Sequence, residues 1–247
     1  MNRVVIQAGG KGARLHPYTK ILPKPLLPVG DFPILEIVVR QLVHHGLFNI
    51  TITLGHLGHL IKAVIGDGSQ WGATIDYCWE DEPRGTIGAL SQVANLDEPF
   101  LVMNGDLLTD FDYRSFLNYH LANDASISVG VYHKQVTISL GVLDLDDSDC
   151  LVGFREKPVI SFPCSMGIYA LNPDVLRLIP STGTFGFDSL MALCLAQEIR
   201  VRTYHSRGLW LDIGRLEDYA IASDIFHENL SQLLPQSISW GRRLKAA

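Results

Sequence analysis

The chain has no apolar run long enough to cross a bilayer: stretches such as residues 34–39 break off well short of the roughly 20 residues a spanning helix needs. A secretory leader is missing as well. Residues 1–8 read as a short buried strand running into glycines, without a basic start, an apolar stretch and a small-residue cleavage site. The expectation is a cytoplasmic protein that engages no membrane. Cys78, Cys150, Cys164 and Cys194 are scattered without paired spacing, which suggests neither a zinc knuckle nor a disulfide framework and leaves them as core thiols. Basic runs are scarce. None exceeds Arg242-Arg243, and a net charge of −6 argues against a nucleic-acid partner. Any phosphate must be held by a few placed cations.

Apolar material is plentiful. With 47% hydrophobic and 19% charged residues in 247, the chain can bury one large core or two closely fused lobes. β-Branched runs at 3–7, 49–54, 75–79 and 100–103 alternate with helical patterns, the mark of crossover units and a mainly parallel sheet. The first half therefore reads as doubly wound α/β. A helix apolar nearly all round is expected over 33–45, with Pro33 in its first turn and Gly46 at a left-handed cap. Asp112 reads as the N-cap of a second helix whose inner face carries Tyr113, Phe116, Leu117 and Leu121. Strands then crowd at 127–132, 140–144, 151–156 and 166–170, which predicts a mixed sheet, and helices return at 173–179, 188–196 and 216–226. No pattern is legible after Pro235.

Immediately after the first strand stands GGKGARLHPYTKILPKPLLPV, residues 9–29. Its glycines let backbone amides approach an anion, and Lys11, Arg14 and Lys24 supply positive charge. A dinucleotide turn would show GxGxxG entering a helix, and a Walker loop GxxxxGK followed by Ser or Thr; neither spacing is met. Further along come EPRGTIGAL at 82–90, NGD at 104–106, FREKP at 154–158, SMGIY at 165–169 and WLDIG at 210–214. In this order, over roughly residues 3–225, the strings resemble the signature of the sugar nucleotidyltransferases. That family includes mannose-1-phosphate guanylyltransferases and glucose-1-phosphate thymidylyltransferases. The resemblance implies a Rossmann-like three-layer α/β fold with a central mixed, mainly parallel sheet. It also implies one domain over 1–229, nucleotide-binding to about 110 and sugar-phosphate-binding beyond, with a tail at 230–247. A stand-alone transfer domain is expected, and a homo-oligomer is possible by the habit of relatives.

Joining a nucleoside triphosphate to a sugar 1-phosphate brings two polyanions together. At about 4 Å each unit repulsion is roughly 1 kcal/mol in water and about 4 at an effective dielectric of 20, so cations must offset it. Catalysis then rests on in-line positioning and charge stabilisation. By resemblance, Arg14 and Lys24 fall on the cations that grip the triphosphate, Lys157 on the lysine that holds the sugar phosphate. Ala8, Gly9, Gly10, Gly12, Gly85 and Thr86 belong to the implied nucleotide cradle. Mg²⁺ prefers one or two carboxylates plus phosphate oxygens, and Asp106 and Asp212 are the candidates. Arg14, Lys24, Asp106, Lys157 and Asp212 thus form the expected catalytic set. Gly141 and Glu156 match sugar contacts, while Ser165 stands where many relatives have asparagine and leaves the sugar open. Asp110 reads as a capping or turn residue, and the acidic run at 144–149 as a solvated loop.

The family reads the base partly through a side chain at the position of Glu80. A carboxylate only accepts hydrogen bonds, and guanine alone among the common bases offers two adjacent donors, N1 and N2. GTP is therefore favoured. Thymidylyl, cytidylyl or uridylyl transfer, and a non-catalytic nucleotide-sugar-binding subunit, stand as alternatives; intact Lys24, Asp106, Lys157 and Asp212 speak against the last. A glycosyltransferase shares the sheet architecture, but Leu107-Leu108 after Asp106 completes no DxD pair.

Overall fold

The computed structural model describes residues 3–234. The chain runs through β1 (Arg3–Gln7), the glycine-rich segment, the short β2 (Pro28–Val29) and β3 (Phe32–Pro33), and then α1 (Ile34–His44). Next come β4 (Asn49–Leu54), α2 (Gly58–Ile65), β5 (Thr74–Trp79), a single turn α3 (Gly85–Gly88) and β6 (Phe100–Asn104). After β7 (Leu107–Thr109) and α4 (Tyr113–Ala122), β8 (Ile127–Thr137), β9 (Gly141–Leu145), β10 (Leu151–Glu156) and β11 (Val159–Leu171) follow in succession. The described chain closes with α5 (Phe187–Ala196), β12 (Val201–Ser206), β13 (Trp210–Asp212), α6 (Leu216–Glu228) and α7 (Leu230–Leu233). No helix among the described residues is long and apolar enough to cross a membrane.

Seven strands form the central sheet in the order β12-β8-β11-β6-β1-β4-β5. β1, β4, β5 and β6 are mutually parallel, β11 runs antiparallel between β6 and β8, and β12 returns parallel to β8. The sheet is thus mixed and mainly parallel, as expected. Strand alternation decides which layer each side chain enters. Val4 and Ile6 of β1 and Leu101 and Met103 of β6 face a core shared with α1, α2 and α4. Val5, Phe100 and Val102 face the opposite core, closed by Ile87, Leu90, Leu190 and Cys194. A third cluster joins Leu15, Leu27, Ile34 and Leu108 to Ala222 and Phe226 of α6 and to Leu233 and Leu234. Leu233 and Leu234 of the expected tail are therefore packed, while Leu230, Ser231 and Gln232 stay exposed; residues 235–247 lie outside the described ones.

Several expectations are corrected. Strands 140–144 and 151–156 do not join the main sheet but pair with each other as β9 and β10, a separate two-stranded arm. β8 and β11 run past the central sheet to carry that arm, pairing as far as Thr137 and Val159. On α4, Leu121 is 46% exposed and His120 takes the inner position instead. Spacing explains it, since 113, 116, 117 and 120 fall on one stripe and 121 on its border. The buried imidazole is satisfied by Ser128 Oγ at 2.9 Å and Asn172 Oδ1 at 3.1 Å, and burial holds its pKa below the ordinary histidine value. Asp112 caps α4 as expected, accepting from Ser115 N. Asp110 caps no helix among the described residues, and its Oδ1 is buried without a hydrogen-bond partner among them. The helix at 173–179 is a 3₁₀ segment, Pro173–Leu178. Of the cysteines only Cys194 is a core thiol, whereas Cys78 and Cys164 are half-buried and Cys150 is exposed in the turn after β9.

Candidate active site

The parallel strands β1, β4, β5 and β6 all end on one edge of the sheet, the edge where open α/β folds gather ligands. A cavity of about 390 Å³ opens there. It is lined by Ala8, Gly9, Gly10, Gly12, Arg14, Lys24, Glu80, Gly85, Thr86, Asp106 and Asp212, all expected from sequence. Gln7, Thr53, Arg84 and Asn104 join them without having been singled out.

Local geometry explains the convergence. Gly12 holds φ +59°, and a Cβ there would meet Thr19 Cγ2 at 3.0 Å and Lys24 Cβ at 3.2 Å, so only glycine fits. Thr19 Oγ1 donates to Gly12 O at 2.8 Å and ties the loop shut. Lys24 opens a 3₁₀ turn between Pro23 and Pro25, which fixes its stem against the core. Asp106 follows β6, and the residue after it, Leu107, pairs with Asp212 in the β7–β13 ladder. That short ladder brings the two aspartates together from positions 106 apart in sequence.

The Lys24 ammonium forms an ion pair with Asp106 Oδ2 and lies 3.6 Å from Asp212 Oδ1. Lys24 is 11% exposed, Asp106 18% and Asp212 39%. Burial pushes the Asp106 carboxyl up, Lys24 opposes that shift and the Asp212 charge adds to it. Asp106 Oδ1 is buried and lacks a hydrogen-bond partner among the described residues. Such an orphaned acceptor beside a second carboxylate suits a divalent cation better than it suits the protein alone. Arg14 lies beside the group: a Cβ built on Gly214 would stand 3.4 Å from Asp212 Oδ2 and 3.6 Å from Arg14 Nη1.

On the opposite wall Glu80 Oε2 accepts from Arg84 N at 3.1 Å, and Oε1 reaches over Gly9, where a Cβ would be 2.3 Å away. Burial pushes the Glu80 carboxyl up, partly offset by the Arg84 amide and charge. Arg84 in turn donates to Ser181 O at 2.6 Å, and Thr86 Oγ1 accepts from Phe187 N at 3.0 Å. These bonds clasp the loop around α3 to the segment that starts α5.

Lys157, Glu156, Gly141 and Ser165 do not line this cavity. Gly141 and Glu156 are register partners at the root of the β9–β10 arm. Lys157 follows with φ +44°, its side chain 65% exposed and its ammonium 3.8 Å from Glu156 Oε1. Ser165 is exposed on β11 and donates to the Tyr169 hydroxyl, whose ring stacks on Phe187 at 3.7 Å. Two groups of expected residues therefore stand apart, one in the cavity and one on the arm.

A family model described as nucleotidyl transferase matches residues 3–229. A UTP–glucose-1-phosphate uridylyltransferase of Synechocystis is 28% identical over 237 residues, covering 88% of this chain and 61% of that protein. A mannose-1-phosphate guanyltransferase of Candida albicans is 26% identical over 243 residues, covering 95% and 67%. The chain thus spans about two thirds of the length of these curated relatives. The solved structure of HddC from Yersinia pseudotuberculosis complexed with GMP-PN superposes with a TM-score of 0.69 at 25% identity, covering 92% of this chain and 100% of that one. The chain belongs to the nucleotidyl transferase family, among the sugar-1-phosphate nucleotidyltransferases.

Proposed function

We propose that the chain transfers a guanylyl group from GTP to a sugar 1-phosphate, giving a GDP-sugar and pyrophosphate. Mannose 1-phosphate or a related hexose or heptose phosphate is the acceptor. The observation that carries the choice of base is Glu80, half-buried at the cavity wall with Oε2 accepting from Arg84 N and Oε1 turned over Gly9. Guanine satisfies such a carboxylate with two adjacent donors, whereas uracil and thymine offer one donor flanked by acceptors and leave charge unpaired. The guanine-nucleotide complex of HddC and the guanyltransferase relative support this reading. The uridylyltransferase relative favours UTP instead, and Glu80 is the residue that opposes it.

Residues up to about 110 form the nucleotide half of this proposal and those from 111 to 229 the sugar-phosphate half. Asp106 and Asp212 fit Mg²⁺, which when bound there supplies positive charge to the triphosphate. Lys24 and Arg14 bind the same phosphates, and the amides of Gly9, Gly10 and Gly12 cradle them at the strand end. Lys157 and Glu156, at the root of the arm, hold and orient the sugar phosphate. Its oxygen is already ionised and attacks the α-phosphorus in line, so no proton need be removed. Pyrophosphate release across a panel of triphosphates and sugar 1-phosphates tests the proposal. GTP is expected to give the highest kcat/KM; a clear preference for UTP or dTTP would replace the guanylyl assignment.

A further inference from the structure

We infer that Gln7 is a second base-reading residue, its side-chain amide donating to the 6-keto oxygen of guanine; this rests on the guanylyl reading above. Gln7 ends β1, whose preceding residues Val4, Val5 and Ile6 are fully buried. It shares its face with Val5 by strand alternation, the side covered by α3. The register Gln7–Thr53–Cys78 places three side chains in a row on that face across β1, β4 and β5, with strands about 4.8 Å apart. Glu80, two residues past Cys78, continues the same side, and Gln7, Thr53, Glu80 and Ala89 all line the cavity.

Gln7 Nε2 is buried and makes no hydrogen bond among the described residues. A desolvated amide donor with nothing to bond weakens the fold, and a leucine would remove the cost. A ligand acceptor in the cavity removes it too. Glu80 Oε1 reaches back over Gly9, two residues beyond Gln7, so a donor and an acceptor converge at the end of β1. That pair is complementary to a keto oxygen beside a ring N–H, which guanine and uracil present and which adenine and cytosine invert. With Nε2 turned to the keto oxygen, Gln7 favours bases that carry an acceptor at that position. Glu80 separates guanine from uracil through the 2-amino donor.

The test measures kcat/KM for GTP, for ITP, which lacks the 2-amino group, and for 6-thio-GTP, whose sulfur is a weak acceptor. Wild type, Gln7→Leu, Gln7→Met and Glu80→Gln are compared, with melting temperatures for each. Wild type should prefer GTP over 6-thio-GTP by about 3- to 10-fold. Both Gln7 variants should bring that ratio to near one, keep the GTP-to-ITP ratio and melt at or above the wild-type temperature. Glu80→Gln should do the reverse to the two ratios. Retained discrimination against 6-thio-GTP in the Gln7 variants, or a large fall in melting temperature for both, overturns the inference. An unchanged GTP-to-ITP ratio in Glu80→Gln overturns the guanine reading separately. Should wild type prefer UTP, the same comparison with 4-thio-UTP decides the role of Gln7.

Discussion

Asp106→Asn keeps the shape of the side chain and removes its charge, which separates what the carboxylate does for the fold from what it does for the reaction. Lys24 loses its closest partner but keeps Asp212 Oδ1 at 3.6 Å. That separation corresponds to about 4–5 kcal/mol at an effective dielectric near 20, and solvent at the 39% exposed Asp212 cuts it to a fraction. In compensation the amide escapes the desolvation that raises the carboxyl's pKa. The two changes nearly cancel, so stability should move by no more than about 2 kcal/mol, or roughly 4–8 °C in melting temperature for a domain of this size. Turnover should fall far more. Loss of one preorganised charge at a transferring phosphate costs about 10²- to 10³-fold in kcat, near 2.7–4 kcal/mol. Thermal melting and a pyrophosphate-coupled assay over a range of Mg²⁺ concentrations give both quantities. A kcat within threefold of wild type would remove Asp106 from the mechanism, and a melting temperature lower by much more than 8 °C would make its pairing with Lys24 structural.

Gly9→Ala places a Cβ 2.3 Å from Glu80 Oε1 and 3.3 Å from Gly55 N, so Glu80 must swing away; the preference for GTP over UTP in kcat/KM should fall by about 10-fold. Lys157→Ala should raise the KM for the sugar phosphate by about 10-fold and leave that for GTP unaltered, because Lys157 lies outside the nucleotide cavity. His120 is held neutral in the fold, so the unfolded chain takes up its proton first, and the contribution to stability is lost as pH falls from about 6.5 toward the lower folded value. Wild type should therefore lose more melting temperature between pH 7 and pH 5 than His120→Gln; equal losses would show that this imidazole does not titrate on unfolding.

The parallel half of the fold was legible because its strands are short, continuous apolar runs between helical patterns, and β1 and β4 match the expected bounds residue for residue. Less legible were β7 and β13, three residues each, whose pairing depends on a contact between segments about 100 apart. Periodicity carries no signal at that length. The arm escaped for a different reason: β9 and β10 alternate like any sheet strand, but nothing local states which neighbour they choose. Leu143, Leu145, Leu151 and Phe154 stay largely exposed there. In the site, the phosphate loop and both aspartates were readable from ordered motifs. Gln7 was not, because a glutamine ending an apolar strand looks like a boundary residue until the register shows what lies beside it. Arg84 and Asn104 stood inside motifs already noticed, and only the cavity shows that they line it.

The most direct test of the account follows the α-phosphorus. With GTP labelled at that atom, a sugar 1-phosphate and Mg²⁺, all transferred label should appear in the nucleotide-sugar, with one unlabelled pyrophosphate released for each molecule formed. Label in orthophosphate or pyrophosphate, or nucleotide consumed without a sugar-bound product, would contradict attack by the sugar phosphate at the α-position.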